Sequence, residues 1–200
     1  MTVLAVLFLW ISAVLGTKTA IYTDLPCKFS LAAWNVSRHN DNSTGVPLVL
    51  GQTGAVADGA SYEVTSTYAS YPYNTYPTLS LSNGSMRAYR ASGTWLTNAT
   101  AVVSGGPLTW YTSAVFDRDP ARIYTAHGHD LRLAAYGVAD RWYLCPFSGT
   151  LAQTSVVFNV SRASSVKEDF DSRRCWKVRL HLVPVRSGES YFEFCGEAAD

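Results

Sequence analysis

The stretch Trp176-Lys177-Val178-Arg179-Leu180-His181-Leu182-Val183 alternates without a break as far as Leu182. Successive side chains of an extended chain point to opposite faces. Trp176, Val178, Leu180 and Leu182 therefore fall on one side, and Lys177, Arg179 and His181 on the other. This is a strand with one greasy face and one wet face. Working outward, similar segments rich in β-branched and aromatic residues occupy 29–36, 46–50, 61–68, 78–82, 86–90, 108–116, 122–126, 131–136, 141–145 and 155–161. Turn chemistry separates them, at Asn83-Gly84, Ser92-Gly93, Gly105-Gly106-Pro107, His127-Gly128, Ser148-Gly149 and Ser187-Gly188. Only 163–170 suggests a helix, and a short one. Many short strands punctuated by turns predict an all-β domain, foremost a β-sandwich, with a β-trefoil or a small β-barrel as alternatives. Ala88-Tyr89 followed by Trp95 is echoed by Ala135-Tyr136 followed by Trp142. A trefoil needs a third copy, and none is found.

Composition narrows the class. The chain has 200 residues, 48% of them apolar and 16% charged, with 16 Lys+Arg against 15 Asp+Glu. That is too apolar and too weakly charged for a disordered chain. The balanced charge argues against a nucleic-acid binder, which needs an excess of Lys and Arg. No linker or low-complexity block divides the chain, so residues 17–200 are expected to form one domain stabilised by disulfides.

The amino terminus points to export. Val3 to Leu15 is one apolar run interrupted only by Ser12. It falls short of the ~20 residues that span a bilayer as a helix, and matches the hydrophobic region of a secretory signal peptide. Val14 and Gly16 suit a cleavage site, so residues 1–16 are expected to be the signal peptide, with cleavage after Ala20 as a second option. No other stretch approaches membrane length. The expected product is secreted, either extracellular or associated with the cell wall, with no membrane span in its mature form.

Cysteine and asparagine usage fits that compartment. The 4 cysteines, Cys27, Cys145, Cys175 and Cys195, form no CxxC metal or redox motif. An even number in an exported chain suggests two disulfides, with three connectivities open. Cys145–Cys175 and Cys27–Cys195 are the expected pairs, because each cysteine flanks a predicted strand and the second pair ties the chain ends together. Asn-x-Ser/Thr glycosylation sequons stand at Asn35, Asn42, Asn83, Asn98 and Asn159. Asn42 and Asn83 lie in turn contexts that favour occupancy.

Several stretches resemble an uncharacterised family of secreted proteins from mushroom-forming, basidiomycete fungi. They are Pro47-Leu-Val-Leu-Gly-Gln52, Val64-Thr-Ser-Thr-Tyr-Ala-Ser-Tyr-Pro-Tyr-Asn74, Trp95-Leu-Thr-Asn-Ala-Thr100, Leu144-Cys-Pro-Phe147 and Phe158-Asn-Val-Ser161. The resemblance covers most of residues 27–183. It implies a compact exported β domain of fungal origin and brings no activity or catalytic residues. The tail from Arg186 onward departs from it.

Few residues suggest chemistry. No GxSxG elbow or HExxH helix is present. His127 and His129 stand two apart, which on a strand puts both on one face, where they could share a metal. A surface hairpin tip accounts for them as well, and no cofactor is expected. Asp117 with Asp119, and Glu168, Asp169 and Asp171, are the acid groups a hydrolase would draw on; turn solvation also explains them. Tyr68, Tyr71, Tyr73 and Tyr76, interleaved with Pro72 and Pro77, form a stiff aromatic loop. Tyrosine offers flat contact area at low entropic cost, so these four are the candidate binding residues for a glycan or an extracellular protein. The alternative is that they cover one end of the core. Lys177, Arg179 and His181 share a strand face where an acidic glycan or lipid headgroup could bind; an ordinary solvated strand face accounts for them as well. The functional expectation is a non-catalytic wall or extracellular binding module. A secreted effector or structural protein without a small ligand comes next, then an extracellular hydrolase or metal-dependent enzyme.

Overall fold

The computed structural model describes residues 19–55, 60–92, 95–113, 118–148, 152–161 and 170–185. The signal peptide, residues 163–169 of the expected helix and the tail with Cys195 fall outside those residues; Phe170 forms an isolated antiparallel bridge with Phe147. The strands are β1 Ile21–Tyr22, β2 Phe29–Asn35, β3 Val46–Ala55, β4 Ala60–Thr67, β5 Thr78–Ser82, β6 Ser85–Tyr89, β7 Trp95–Ala99, β8 Thr109–Ser113, β9 Tyr124–His127, β10 Arg132–Ala135, β11 Trp142–Pro146, β12 Thr154–Phe158 and β13 Trp176–Pro184. The all-β expectation holds. Among the described residues the helical geometry is a single 3-10 turn at Ser172–Arg174.

All the strands join one 13-stranded antiparallel sheet, which closes on itself. The architecture is thus the barrel named as an alternative, and not the sandwich. Two pairings make the difference. β13 lies along the full length of β2, from Val178 opposite Asn35 to Pro184 opposite Phe29. β4 is shared along one edge, with Ala60 to Val64 against β8 and Ser66 against β12. The outer circuit then runs β2–β13–β11–β12–β4–β8–β7–β6–β5 and returns to β2 through Phe29 opposite Leu79. β3 bridges it by pairing with both β2 and β4. Closure removes the exposed edges of the strands in this circuit; β10, β9 and β1 branch from β13 outside it.

Local chemistry sets the corners. Asn83 (φ 49°) and Gly84 (φ 71°) turn β5 into β6, with Ser82 opposite Ser85. Positive φ at both central residues is the two-residue hairpin geometry that favours Asn-Gly. The inner face is filled by Trp142, Leu144, Val156, Leu133, Val178, Leu180 and Leu182 on one side and by Trp110, Leu81 and Met86 on the other. Trp142 Nε1 donates to the Leu133 carbonyl at 2.8 Å, so its one polar atom is satisfied inside the core.

Outside the barrel wall, Cys145 and Cys175 form a disulfide with their Cα atoms 4.3 Å apart and a sequence separation of 30. It packs with Val157 and Phe170 in a second small cluster. Loop closure of that length contributes about 3.6 kcal/mol on the chain-entropy account. Cys27 is disulfide-bonded too; its expected partner, Cys195, is among the residues not described.

Candidate functional site

The alternation of β13 does two jobs. Val178, Leu180 and Leu182 are buried inward, which forces Arg179 and His181 onto the outer wall. The registers then line up a row across that wall. His127 of β9 is opposite Arg132 of β10, Arg132 is opposite His181 of β13, and His181 is opposite Ala32 of β2. Ala32 is opposite Pro47 of β3, and the Pro47 carbonyl accepts the backbone N–H of Tyr68 at 2.9 Å. Neighbouring strands are about 4.8 Å apart, so the row extends roughly 24 Å along the curve of the wall. It joins the basic strand face to the first residue of the tyrosine loop.

Two contacts shape its middle. The Trp34 ring stacks on His181, with centroids 6.0 Å apart and planes 16° from parallel. Arg132 Nε donates to Asp130 Oδ1 at 3.0 Å. Arg179, opposite Trp34, is exposed and enters no ion pair among the described residues. Burial holds the His181 imidazole below the usual histidine range; Arg179 and Arg132 add to that, and Asp130 works against it. Burial followed by Arg132 lowers His127 in the same direction. His127 Nε2 is also 2.9 Å from Thr125 Oγ1.

The tyrosine loop divides. Tyr76 is buried in the core, 3.5 Å from Thr112 Oγ1 through its hydroxyl, and so is core cover. Tyr68 (47% exposed) and Tyr73 (64% exposed) face solvent. Tyr71 is half-buried and meets Tyr73 edge to face at 5.2 Å. The backbone N–H groups of Ser70 and Tyr71 donate to the Thr67 carbonyl, and Ser70 Oγ accepts the Thr154 N–H at 3.0 Å. The exposed rings therefore stand on a braced turn.

Other candidates come apart. β9 ends at His127, and Gly128 (φ 72°) turns the chain, so the two-residue strand period does not carry through to His129, which sits in the exposed turn. No group of three or more potential metal ligands occurs among the described residues. Asp171 caps the 3-10 turn and grips Arg173 through both oxygens. Asp119 is exposed beside Arg118, while Asp117, Glu168 and Asp169 lie outside the described residues. Among the sequons, Asn42 and Asn83 are exposed, and Asn35 and Asn159 are half-buried. Asn35 Oδ1 accepts the N–H groups of Ser37 and Arg38, and Asn159 Nδ2 donates to Ser104 Oγ. Asn98 is only 3% exposed and donates its amide to the Arg118 carbonyl at 2.8 Å.

One polar group escaped the sequence reading. Glu63 of β4 is 7% exposed and points inward. Ser61 Oγ donates to one of its oxygens and Thr112 Oγ1 to the other, each at 2.7 Å. Thr97 Oγ1 lies 2.7 Å from Thr112 Oγ1, and Trp110 Nε1 donates to Thr65 Oγ1 at 2.9 Å. The available signal was the polar alternation Ser61, Glu63, Thr65, Thr67, which reads as a solvent face when the partner strand is unknown.

No protein-family model, no curated protein and no solved structure matches the chain. Among the described residues no helix is long and apolar enough to cross a membrane. The fold and the site define the class directly: a closed antiparallel β-barrel with an aromatic and basic outer face.

Proposed function

We propose that this chain is an exported, non-catalytic fungal protein that binds an extracellular or wall glycan along its outer wall. The observation that carries this reading is the unbroken row from His127 through Arg132 and His181 to Tyr68, flanked by Trp34 and by the braced rings of Tyr71 and Tyr73. A long track with a flat ring at its middle, Trp34, and further rings at one end, Tyr68, Tyr71 and Tyr73, suits a chain ligand laid across several strands. Aromatic rings give such a ligand contact area, and the polar groups beside them orient it. Catalysis draws less support. Glu63 is saturated by hydroxyl groups of the barrel itself, Asp171 is taken up by Arg173, and among the described residues the acid in contact with the row is Asp130, paired with Arg132.

Affinity electrophoresis against soluble polysaccharides, neutral and acidic, tests the proposal. Replacing Trp34, Tyr68 and Tyr73 by Ala in one variant should weaken retardation roughly tenfold or more, as loss of central aromatic anchors does. Equal retardation of the variant and the parent would remove this face as the binding surface.

A further inference from the structure

We propose that the ligand of this face is an acidic polysaccharide, its carboxylates held by Arg179, Arg132 and His181, and that the grip tightens as pH falls. The inference rests on the glycan-binding reading and adds the ligand's charge class and its control by pH.

Charge complementarity argues for the acid. Arg179 is exposed beside Trp34 with no ion-pair partner among the described residues. A guanidinium next to a flat ring presents a fork of donors to a carboxylate while the ring takes the sugar face. Arg132 is held by Asp130, whose carboxylate is 49% exposed. That pair fixes the guanidinium in the row and leaves its remaining N–H groups available. Among the described residues, the arginines Arg132 and Arg179 on this stretch of wall face one paired carboxylate, Asp130, which leaves a positive excess there at neutral pH. Acidic polysaccharides repeat a sugar ring and a negative charge at short intervals, and this part of the wall sets Arg132 and Arg179 beside the rings of His181 and Trp34.

The histidines supply the pH response. His181 lies among Arg132 from β10, Arg179 from its own strand, Asp130 from the β9–β10 turn and the neutral Trp34 from β2. His127 faces Arg132 from β10 and Ile21 from β1, with Thr125 beside it. In the free protein, burial and neighbouring guanidinium charge disfavour protonation of each imidazole. A carboxylate laid over the row cancels that repulsion and favours protonation. By linkage, protonation then favours the carboxylate to the same degree.

The experiment measures polygalacturonate binding at roughly pH 7.5 and pH 5, a range that spans histidine titration. Laminarin serves as a neutral glycan and polyglutamate as a polyacid without sugar rings. Polygalacturonate should bind tighter than either, and about tenfold tighter at the lower pH. Arg179→Gln should weaken polygalacturonate about tenfold and leave laminarin unchanged. A His127→Gln, His181→Gln double variant should still bind polygalacturonate but lose the pH response. Equal affinity for polygalacturonate and laminarin, insensitive to Arg179→Gln, overturns this inference and leaves the glycan-binding reading standing. Polyglutamate binding as tightly as polygalacturonate overturns it by reducing the site to charge alone. Binding of none of the three overturns both readings.

Discussion

Two polar rows cross this barrel, one inside and one outside, and they meet opposite fates. The inner row runs through Ser61, Glu63, Thr97 and Thr112. Each of its groups is hydrogen-bonded to another member, and the carboxylate takes a hydroxyl on each oxygen. The outer row runs through His127, Arg132 and His181 with Arg179 beside it, and among the described residues Asp130 answers the Arg132 charge while Arg179 has no ion-pair partner. A buried polar group must find its partners within the fold, because water is not there to replace them. An exposed cation is under no such demand. The inner row therefore holds β4, β7 and β8 in register, and the outer row keeps interaction capacity to offer a partner.

The largest expected effect falls on the inner row. Thr112→Val keeps the shape but removes the hydroxyl that serves Glu63, Thr97 and Tyr76. It should cost about 3 kcal/mol, the scale for stranding a buried charged acceptor. Arg179→Gln, on the outer row, should stay within about 0.5 kcal/mol of the parent. Urea titration of both variants measures the contrast, and equal losses would erase the division between the rows.

A smaller effect sharpens the same contrast through pH. His127 and His181 have lowered values in the folded protein. As pH falls through the ordinary histidine value of about 6.5, the unfolded chain takes up protons that the folded chain still refuses. These two residues should leave stability intact above that pH and erode it on the way down toward their folded values. Urea midpoints across the range should show the decline, and the His127→Gln, His181→Gln double variant should show less of it. A decline of the same size in both would move its origin away from the outer row.

Much of the barrel was legible one strand at a time. The alternation at 176–183 gave β13 and correctly sorted Lys177, Arg179 and His181 from the buried side. β7 gives no such signal, because its inward Thr97 is polar; it is buried with its hydroxyl 2.7 Å from that of Thr112. Closure was also out of reach. The sandwich and the barrel share the same period-2 strands, and they differ in whether β13 pairs with β2 and β4 divides its edge between β8 and β12. Those are register facts between distant segments, and no local pattern records them. The site shows the same limit. Tyr68, Tyr71 and Tyr73 were readable as an exposed aromatic loop, and Tyr76 beside them was not distinguishable as core. His127 was noticed for its sequence neighbour His129, although its neighbours in space are Arg132 and, one strand further, His181. Trp34 acquires meaning only through the β2–β13 register that brings it to His181.

The central claim is that the outer row holds an acidic chain, and the histidine ring resonances report on it most directly. Titrating His127 and His181 by NMR, alone and with saturating oligogalacturonate, should place both below the ordinary histidine value in the free protein and shift both upward in the complex. Ring titrations that do not move when the oligosaccharide binds would contradict the account.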